Sequence, residues 1–189
     1  TSFTWFTSID QKYQLSGGEF YQATPHPNGH LVYKYLRGVS ILQSPFYYLA
    51  HVYCLTTHQY PADGFSYPYQ WAIAWGALLY FFISLVVLRW ILLRFAEDRV
   101  VAIVLLLLTL ATNAIQYVAV EGGQSHAYIF PLYVLILYLT YKWHQSFHLI
   151  YSFAIGLCIG LATISRPTEA VMLFIPLLVL YLLCALTLR

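Results

Sequence analysis

Charged side chains are scarce in this sequence of 189 residues, of which 8% are Asp, Glu, Lys or Arg and 60% are hydrophobic. A soluble domain carries roughly 25% charged residues, because its surface must be solvated. Nine basic and seven acidic side chains are too few to cover a soluble domain of this length. Intrinsic disorder is excluded as well, since it requires low hydrophobicity and high net charge. The composition therefore indicates an integral membrane protein.

Cysteine residues are also few, and the basic residues do not form a cluster. The three cysteines show no CxxC or Cys–His spacing, so neither a disulfide framework nor a zinc site is indicated. The net charge of +2 comes without a basic tract, which argues against a nucleic-acid partner. His144 and His148 have metal-ligand spacing but no third ligand near them in the sequence. We therefore expect no metal and no other cofactor.

Long apolar runs dominate residues 70–189. A helix that crosses a membrane needs about 20 apolar residues, and the alternation that marks a β-strand is absent. The expected fold class is all-α, a polytopic transmembrane helical bundle. We predict five spans, at about 71–93, 100–120, 124–142, 149–165 and 170–188.

Basic side chains at the ends of these spans predict the orientation. When the turns are counted alternately, one side of the membrane receives Arg89, Arg94, Arg99, Lys142 and Arg189. The positive-inside rule makes that side cytoplasmic. The outer side then receives residues 1–69 and the turns at 121–126 and 166–169.

The outer region, residues 1–69, contains one ambiguous segment. Residues 38–57 are long enough to span a membrane but include Gln43, Pro45 and His51. This segment is either a kinked span or an amphipathic helix in the interface, and we favour the interfacial or partly embedded helix. The Pro, Gly and Asp residues that follow it predict a loop over 60–69.

Ionisable side chains on the outer side are the candidate functional residues, because charges at membrane depth are costly. Glu121 and His126 lie between the second and third predicted spans, and Arg166 and Glu169 lie between the fourth and fifth. Pro167 suits the first position of a helix, so Arg166 could present its guanidinium group to a phosphate there. Glu169 either complements the helix dipole or pairs with Arg166. The alternative is that all are ordinary loop residues at headgroup level.

Six strings follow one another over residues 20 to 170: Pro27–Gly38, the apolar helix 41–51, the loop 62–66, Ala111–Asn113, Ser125–Tyr128 and Ser165–Thr168. In their order and spacing, these strings resemble the bacterial polytopic glycosyltransferases of the C-type superfamily (GT-C fold). The protein mannosyltransferases and the lipid A aminoarabinose transferases are the members most similar in pattern. The resemblance implies a protein of the bacterial inner membrane, whose outer side faces the periplasm.

This resemblance implies transfer of a sugar from a polyprenyl-phosphate donor to an acceptor at the outer face. It assigns the donor phosphate to Lys34, Arg37 and Arg166, and it gives His126 a role in orienting donor or acceptor. The implied partners are membrane lipids, the lipid-linked sugar and other subunits of a membrane complex, and no divalent metal is indicated.

The resemblance also has departures. Leu36 stands where the family often has Pro. The family's catalytic carboxylate follows a first span that this sequence does not include, so we expect a fragment of a longer protein. Asp10 and Glu19 fall in what would remain of that loop and are weak candidates for the catalytic base.

Two other functions compete with a transferase. The first is a non-catalytic structural or accessory subunit of a larger membrane complex. The second is a transporter or channel, which usually places polar or broken helices at the bilayer midplane. The centres of the predicted spans are almost free of charge, which disfavours transport.

Overall fold

The computed structural model describes residues 4–14, 23–28, 31–33 and 37–179. Helices dominate these residues: α1 Thr4–Tyr13, α2 Gly38–Thr57, α3 Tyr67–Leu92, α4 Asp98–Leu110, α5 Ser125–Ser146 and α6 Leu149–Ser165. A π-helical segment covers Gln116–Val120, and a 3-10 helix covers Pro167–Leu173.

The predicted all-α class is confirmed, apart from one short antiparallel ladder. Strands β1 Ala23–Pro25 and β2 Leu31–Tyr33 pair with Thr24 opposite Val32. Among the described residues, α3 is the helix long and apolar enough to cross a membrane. Its 26 residues extend roughly 39 Å at 1.5 Å per residue. The segments Leu149–Ser165 and Pro167–Val179 are apolar but shorter, so a bundle of five spans stays a prediction.

The segment 100–120, predicted as one span, is not a continuous α-helix. Helix α4 ends at Leu110 and a π-helix follows from Gln116. The hydroxyl of Thr112 donates to the carbonyl of Leu108 at 2.5 Å and accepts the backbone N–H of Ala114 at 3.2 Å. A threonine that bonds to nearby backbone groups in this way competes with the helix ladder. The predicted span 170–188 also differs from an α-helix at its beginning, which lies in the 3-10 helix. Residues 180–189 lie outside the described residues.

Helix α2 is continuous although it contains Pro45. Proline has no N–H to donate to the carbonyl four residues earlier, which here belongs to Ile41. The hydroxyl of Ser44 donates to that carbonyl at 2.7 Å. The side chain before the proline therefore supplies the missing donor, and the helix runs through.

The core lies where α3, α5 and α6 pack together. One cluster joins α5 to α6 around Ile136 and Ile159, and a second joins α3 to α5 around Ala77 and Tyr128. Helices α3 and α5 run parallel. The Tyr128 hydroxyl donates to the carbonyl of Ile73 at 2.8 Å near their beginnings. Near their ends, Trp90 contacts Tyr138 and Tyr141.

Helix α6 returns antiparallel to α5 after a short connection. The bundle therefore has two ends. We call the end where α5 begins and α6 finishes the His126 end. We call the opposite end, where α3 and α5 finish and α6 begins, the Lys142 end. There Lys142 and Arg94 lie over the Trp90 ring, with Nζ and Cζ 5.4 Å and 4.6 Å from its centroid.

Candidate functional site

His126 and Arg166, forty residues apart in the chain, meet at the His126 end. Atom Nη1 of Arg166 lies 3.1 Å from Nδ1 and 3.4 Å from Nε2 of His126. A guanidinium group has only donors, so the imidazole nitrogen that faces it accepts. The ring of Tyr117 stacks on His126 with centroids 4.4 Å apart. The antiparallel packing of α5 and α6 thus unites two of the residues that the sequence singled out.

Glu169 forms an ion pair with the Nε side of the Arg166 guanidinium group, whereas His126 faces Nη1. Its Oε1 lies 3.7 Å from Nε of Arg166, and its Oε2 accepts a hydrogen bond from the Tyr133 hydroxyl at 2.6 Å. The Glu169 side chain is only 12% exposed, whereas that of Arg166 is 37% exposed. Arginine has five N–H donors, so the guanidinium group is held in place and still has donors for a ligand.

A close approach of two helices places Arg37 and Arg166 beside the same backbone contact. Gly38, the first residue of α2, lies against Ser165, the last residue of α6. A Cβ at Gly38 would lie 2.2 Å from Oγ and 2.5 Å from the backbone N of Ser165. Arg37 and Arg166 are the chain neighbours of these two residues, and the Arg37 side chain is exposed. Lys34, the third predicted phosphate ligand, lies outside the described residues.

Glu121 belongs to a hydrogen-bonded turn just before α5. Its carboxylate accepts hydrogen bonds from the side-chain amides of Gln116, at 3.1 Å, and Gln124. Gln43 of α2 donates to the carbonyl of Gly123 at 3.1 Å. The sequence analysis missed this set of amides. The three glutamines lie far apart in the sequence or on an exposed turn, so no local pattern marked them as a set.

The weak candidates for a catalytic base lie elsewhere or outside the described residues. Asp10 is on α1, and Glu19 falls in an undescribed segment. Helix α1 is attached to the loop before α3 through Asp63, whose Oδ2 lies 3.2 Å from Nζ of Lys12 and 2.7 Å from the Tyr13 hydroxyl. Asp10 therefore belongs to a helix whose last residues are attached to this loop.

Asp63 is stabilised as a carboxylate. Burial acts to raise its pKa, but hydrogen bonds from Tyr13, Lys12 and the backbone N–H groups of Phe65 and Ser66 outweigh burial and lower the pKa to about 2. The same contacts with Tyr13 and Asp63 raise the pKa of Lys12. This attachment was not expected from the sequence, in which Asp63 suggested only a turn.

Metal ligands do not converge in the part of the chain that the structure describes, where no group of three or more His, Cys, Asp or Glu side chains could hold an ion. His144, one of the two histidines with metal-ligand spacing, places Nε2 3.3 Å from the carbonyl of Pro176.

Comparison with family models, with curated proteins and with solved structures finds no match. The resemblance to C-type glycosyltransferases therefore stays a prediction, and the geometry of the His126 end is the basis for assigning a function.

Proposed function

We propose that the chain is an integral membrane glycosyltransferase, or a piece of one. It transfers a sugar from a polyprenyl-phosphate donor to an acceptor at the outer face of the membrane. The observation that carries this proposal is the contact of Arg166 with His126 at the end of the bundle where the first turn of α2, next to the exposed Arg37, packs against the end of α6. Guanidinium groups suit a phosphate, because their planar forks can bind its oxygens in pairs.

The apolar outer surfaces of the helices support a membrane location. Helix α3 exposes Trp75, Phe82 and Val86, and α6 exposes Leu149 and Phe153. Large contiguous apolar surfaces on a folded protein mark contact with lipid or with a partner. We propose the bacterial inner membrane, with residues 1–69 and the His126 end on the periplasmic side.

The proposed reaction needs one group that accepts a proton from the acceptor and another that stabilises negative charge on the leaving phosphate. A carboxylate takes the proton of the acceptor hydroxyl, and the acceptor oxygen attacks the anomeric carbon of the donor. The bond from that carbon to the phosphate oxygen breaks, and polyprenyl phosphate leaves with the electron pair. Negative charge grows on the phosphate, where Arg166 and Arg37 stabilise it. Asp10 and Glu19 remain the candidates for the base, and His126 orients the ligand beside Arg166.

A transfer assay tests the role of Arg166. The full chain is assayed in membrane vesicles with a radiolabelled polyprenyl-phosphate sugar. Removing a charged hydrogen-bond donor costs about 1.5–3 kcal/mol, so Arg166→Ala should weaken donor use by at least about tenfold. Arg89→Ala is the matched control, because Arg89 lies toward the Lys142 end and pairs with Asp98 on the surface. Unchanged transfer by the Arg166→Ala protein would refute the role.

An accessory subunit is the second candidate function. Helix α2 turns Tyr48, Leu49 and Val52 outward, and such an apolar face suits a protein partner as well as lipid. A stoichiometric complex with other membrane proteins, combined with no transfer activity, would favour this alternative.

A further inference from the structure

A groove of about 580 Å³ lies between the beginning of α3 and the turn that precedes α5. Its volume falls in the range of small-molecule sites, roughly 300–1,000 Å³. One wall is aromatic and the other is polar. The aromatic wall is formed by Tyr67, Trp71 and Trp75 on α3, and the polar wall by Glu121 and Gln124 of the turn; Gln70 of α3 also lines the groove.

The aromatic wall is a continuous surface on consecutive turns of α3. The rings of Tyr67 and Trp71 have centroids 5.4 Å apart, and those of Trp71 and Trp75 are 6.2 Å apart. Trp71 is 48% exposed and Trp75 is 60% exposed. Both indoles therefore offer ring surface to a ligand without being part of the core.

The polar wall is held in shape before any ligand binds. Hydrogen bonds from Gln116 and Gln124 hold the Glu121 carboxylate, and Gln43 holds the carbonyl of Gly123. Gly122 packs so closely on α3 that a Cβ there would lie 3.1 Å from Cα of Ala74. A preformed wall lowers the ordering cost of binding.

We propose that this groove binds a hexopyranose unit that is uncharged or carries an amino group. A pyranose ring has an apolar C–H face and a rim of hydroxyl groups, so it matches one aromatic wall and one wall of carboxylate and amide groups. A hydroxyl that donates to a carboxylate makes a strong, charge-assisted hydrogen bond. The described lining contains no Lys or Arg, so an acidic sugar would meet the Glu121 carboxylate without a compensating cation.

The groove lies at the same end of the bundle as the proposed phosphate site, because the turn from Glu121 to Gln124 leads directly into α5 and His126. This inference deepens the proposed function and rests on it for the source of the sugar. The binding of a free sugar tests the groove alone, since it needs neither the phosphate nor the lipid.

Saturation-transfer NMR on the full chain in phosphatidylcholine nanodiscs provides the test. The probes are methyl glucopyranoside, glucosamine and glucuronate. We expect signals from the first two and none from glucuronate. Replacing both indoles by Leu (Trp71→Leu with Trp75→Leu) should weaken binding about tenfold or more, whereas replacing both by Phe should keep it within about threefold.

Two controls separate the groove from general effects. Phe82→Leu removes an exposed ring from the same helix outside the groove and should leave sugar binding unchanged. Glu121→Gln removes the negative charge at nearly constant shape and should admit glucuronate. Equal binding of all three sugars, or equal binding by the Leu and Phe variants, would overturn the inference. So would complete absence of sugar signals, which would mean that the two tryptophans only contact lipid.

Failure of this inference can be told apart from failure of the proposed function. If Arg166→Ala abolishes transfer but no free sugar binds, the groove assignment falls and the phosphate site stands. If the sugars bind as expected but Arg166→Ala has no effect on transfer, the proposed donor site falls and the groove stands.

Discussion

Gly38→Ala should damage both the bundle and its candidate site. The new methyl group would lie 2.2 Å from Oγ of Ser165, 2.5 Å from its backbone N and 2.8 Å from the carbonyl carbon of Ile164. Non-bonded carbon atoms are comfortable at about 3.5–4.0 Å. The Ser165 hydroxyl could rotate away, but the two backbone atoms could not, so α2 must shift by roughly 1 Å to reach such distances.

The magnitude follows from two opposing terms. Overpacking in a packed contact costs typically about 1–3 kcal/mol, while replacing Gly by Ala at a position with ordinary backbone angles gains up to about 1 kcal/mol by reducing the entropy of the unfolded chain. We expect a net loss of about 1–2 kcal/mol in the free energy of unfolding. The displacement also moves the backbone next to Arg37 relative to that next to Arg166, and a misplacement of about 1 Å can cost on the order of a hundredfold in activity.

Thermal unfolding in detergent measures the loss. For a chain of this size, 1 kcal/mol corresponds to about 2–4 °C in Tm, so Gly38→Ala should lower Tm by about 2–8 °C. Gly156→Ala and Gly160→Ala are matched controls in α6, because a Cβ at either position meets no atom within 4 Å. Both controls should equal or exceed the parent in Tm. If Gly38→Ala melts together with these controls, the close approach of α2 and α6 is wrong.

Two further predictions concern the partners of charged groups. Tyr133→Phe removes the 2.6 Å hydrogen bond to the buried Glu169 and should destabilise the chain by about 1.5–3 kcal/mol, measured by thermal unfolding; an unchanged Tm would show that the bond contributes nothing. The pKa of Asp63 is lowered to about 2, below its unfolded value of about 4, so its stabilisation of α1 is complete above about pH 4 and is lost as the pH falls toward 2. Since Asp63 is partly exposed, we expect only about 1 kcal/mol, seen as faster hydrogen exchange in α1 at low pH. The control is Asp63→Asn, in which hydrogen exchange in α1 should not change between about pH 4 and about pH 2, once it is corrected for the intrinsic pH dependence of amide exchange. A change that persists in this variant would show that another group causes the pH dependence.

The apolar runs, together with the polar residues and prolines that interrupt them, predicted individual helices well. The described helix α6, Leu149–Ser165, has the bounds expected for 149–165, and α2 has those expected for 38–57. In both cases polar residues or proline interrupt the apolar run where the helix ends. These helix boundaries depend on residues that are consecutive in the sequence. They can therefore be predicted without knowing how the helices pack.

Features that depend on packing or on single side chains could not be predicted in this way. The break after Leu110 falls inside a run without charged residues, and it is marked by the local bonds of Thr112. The meeting of His126 with Arg166 depends on how α5 and α6 align over forty residues. Each was a candidate by itself, but their contact and the anchoring role of Tyr133 required the tertiary structure.

The central claim is that the His126 end binds the phosphate of a lipid-linked sugar. Photocrosslinking of the full chain in nanodiscs with a photoreactive polyprenyl phosphate tests it most directly, with the labelled peptides identified by mass spectrometry. We predict labels on peptides that contain Arg37, His126 or Arg166, and a loss of at least about tenfold in Arg166→Ala but not in Arg89→Ala. Labels concentrated around Lys142, or labelling that Arg166→Ala leaves unchanged, would contradict the account.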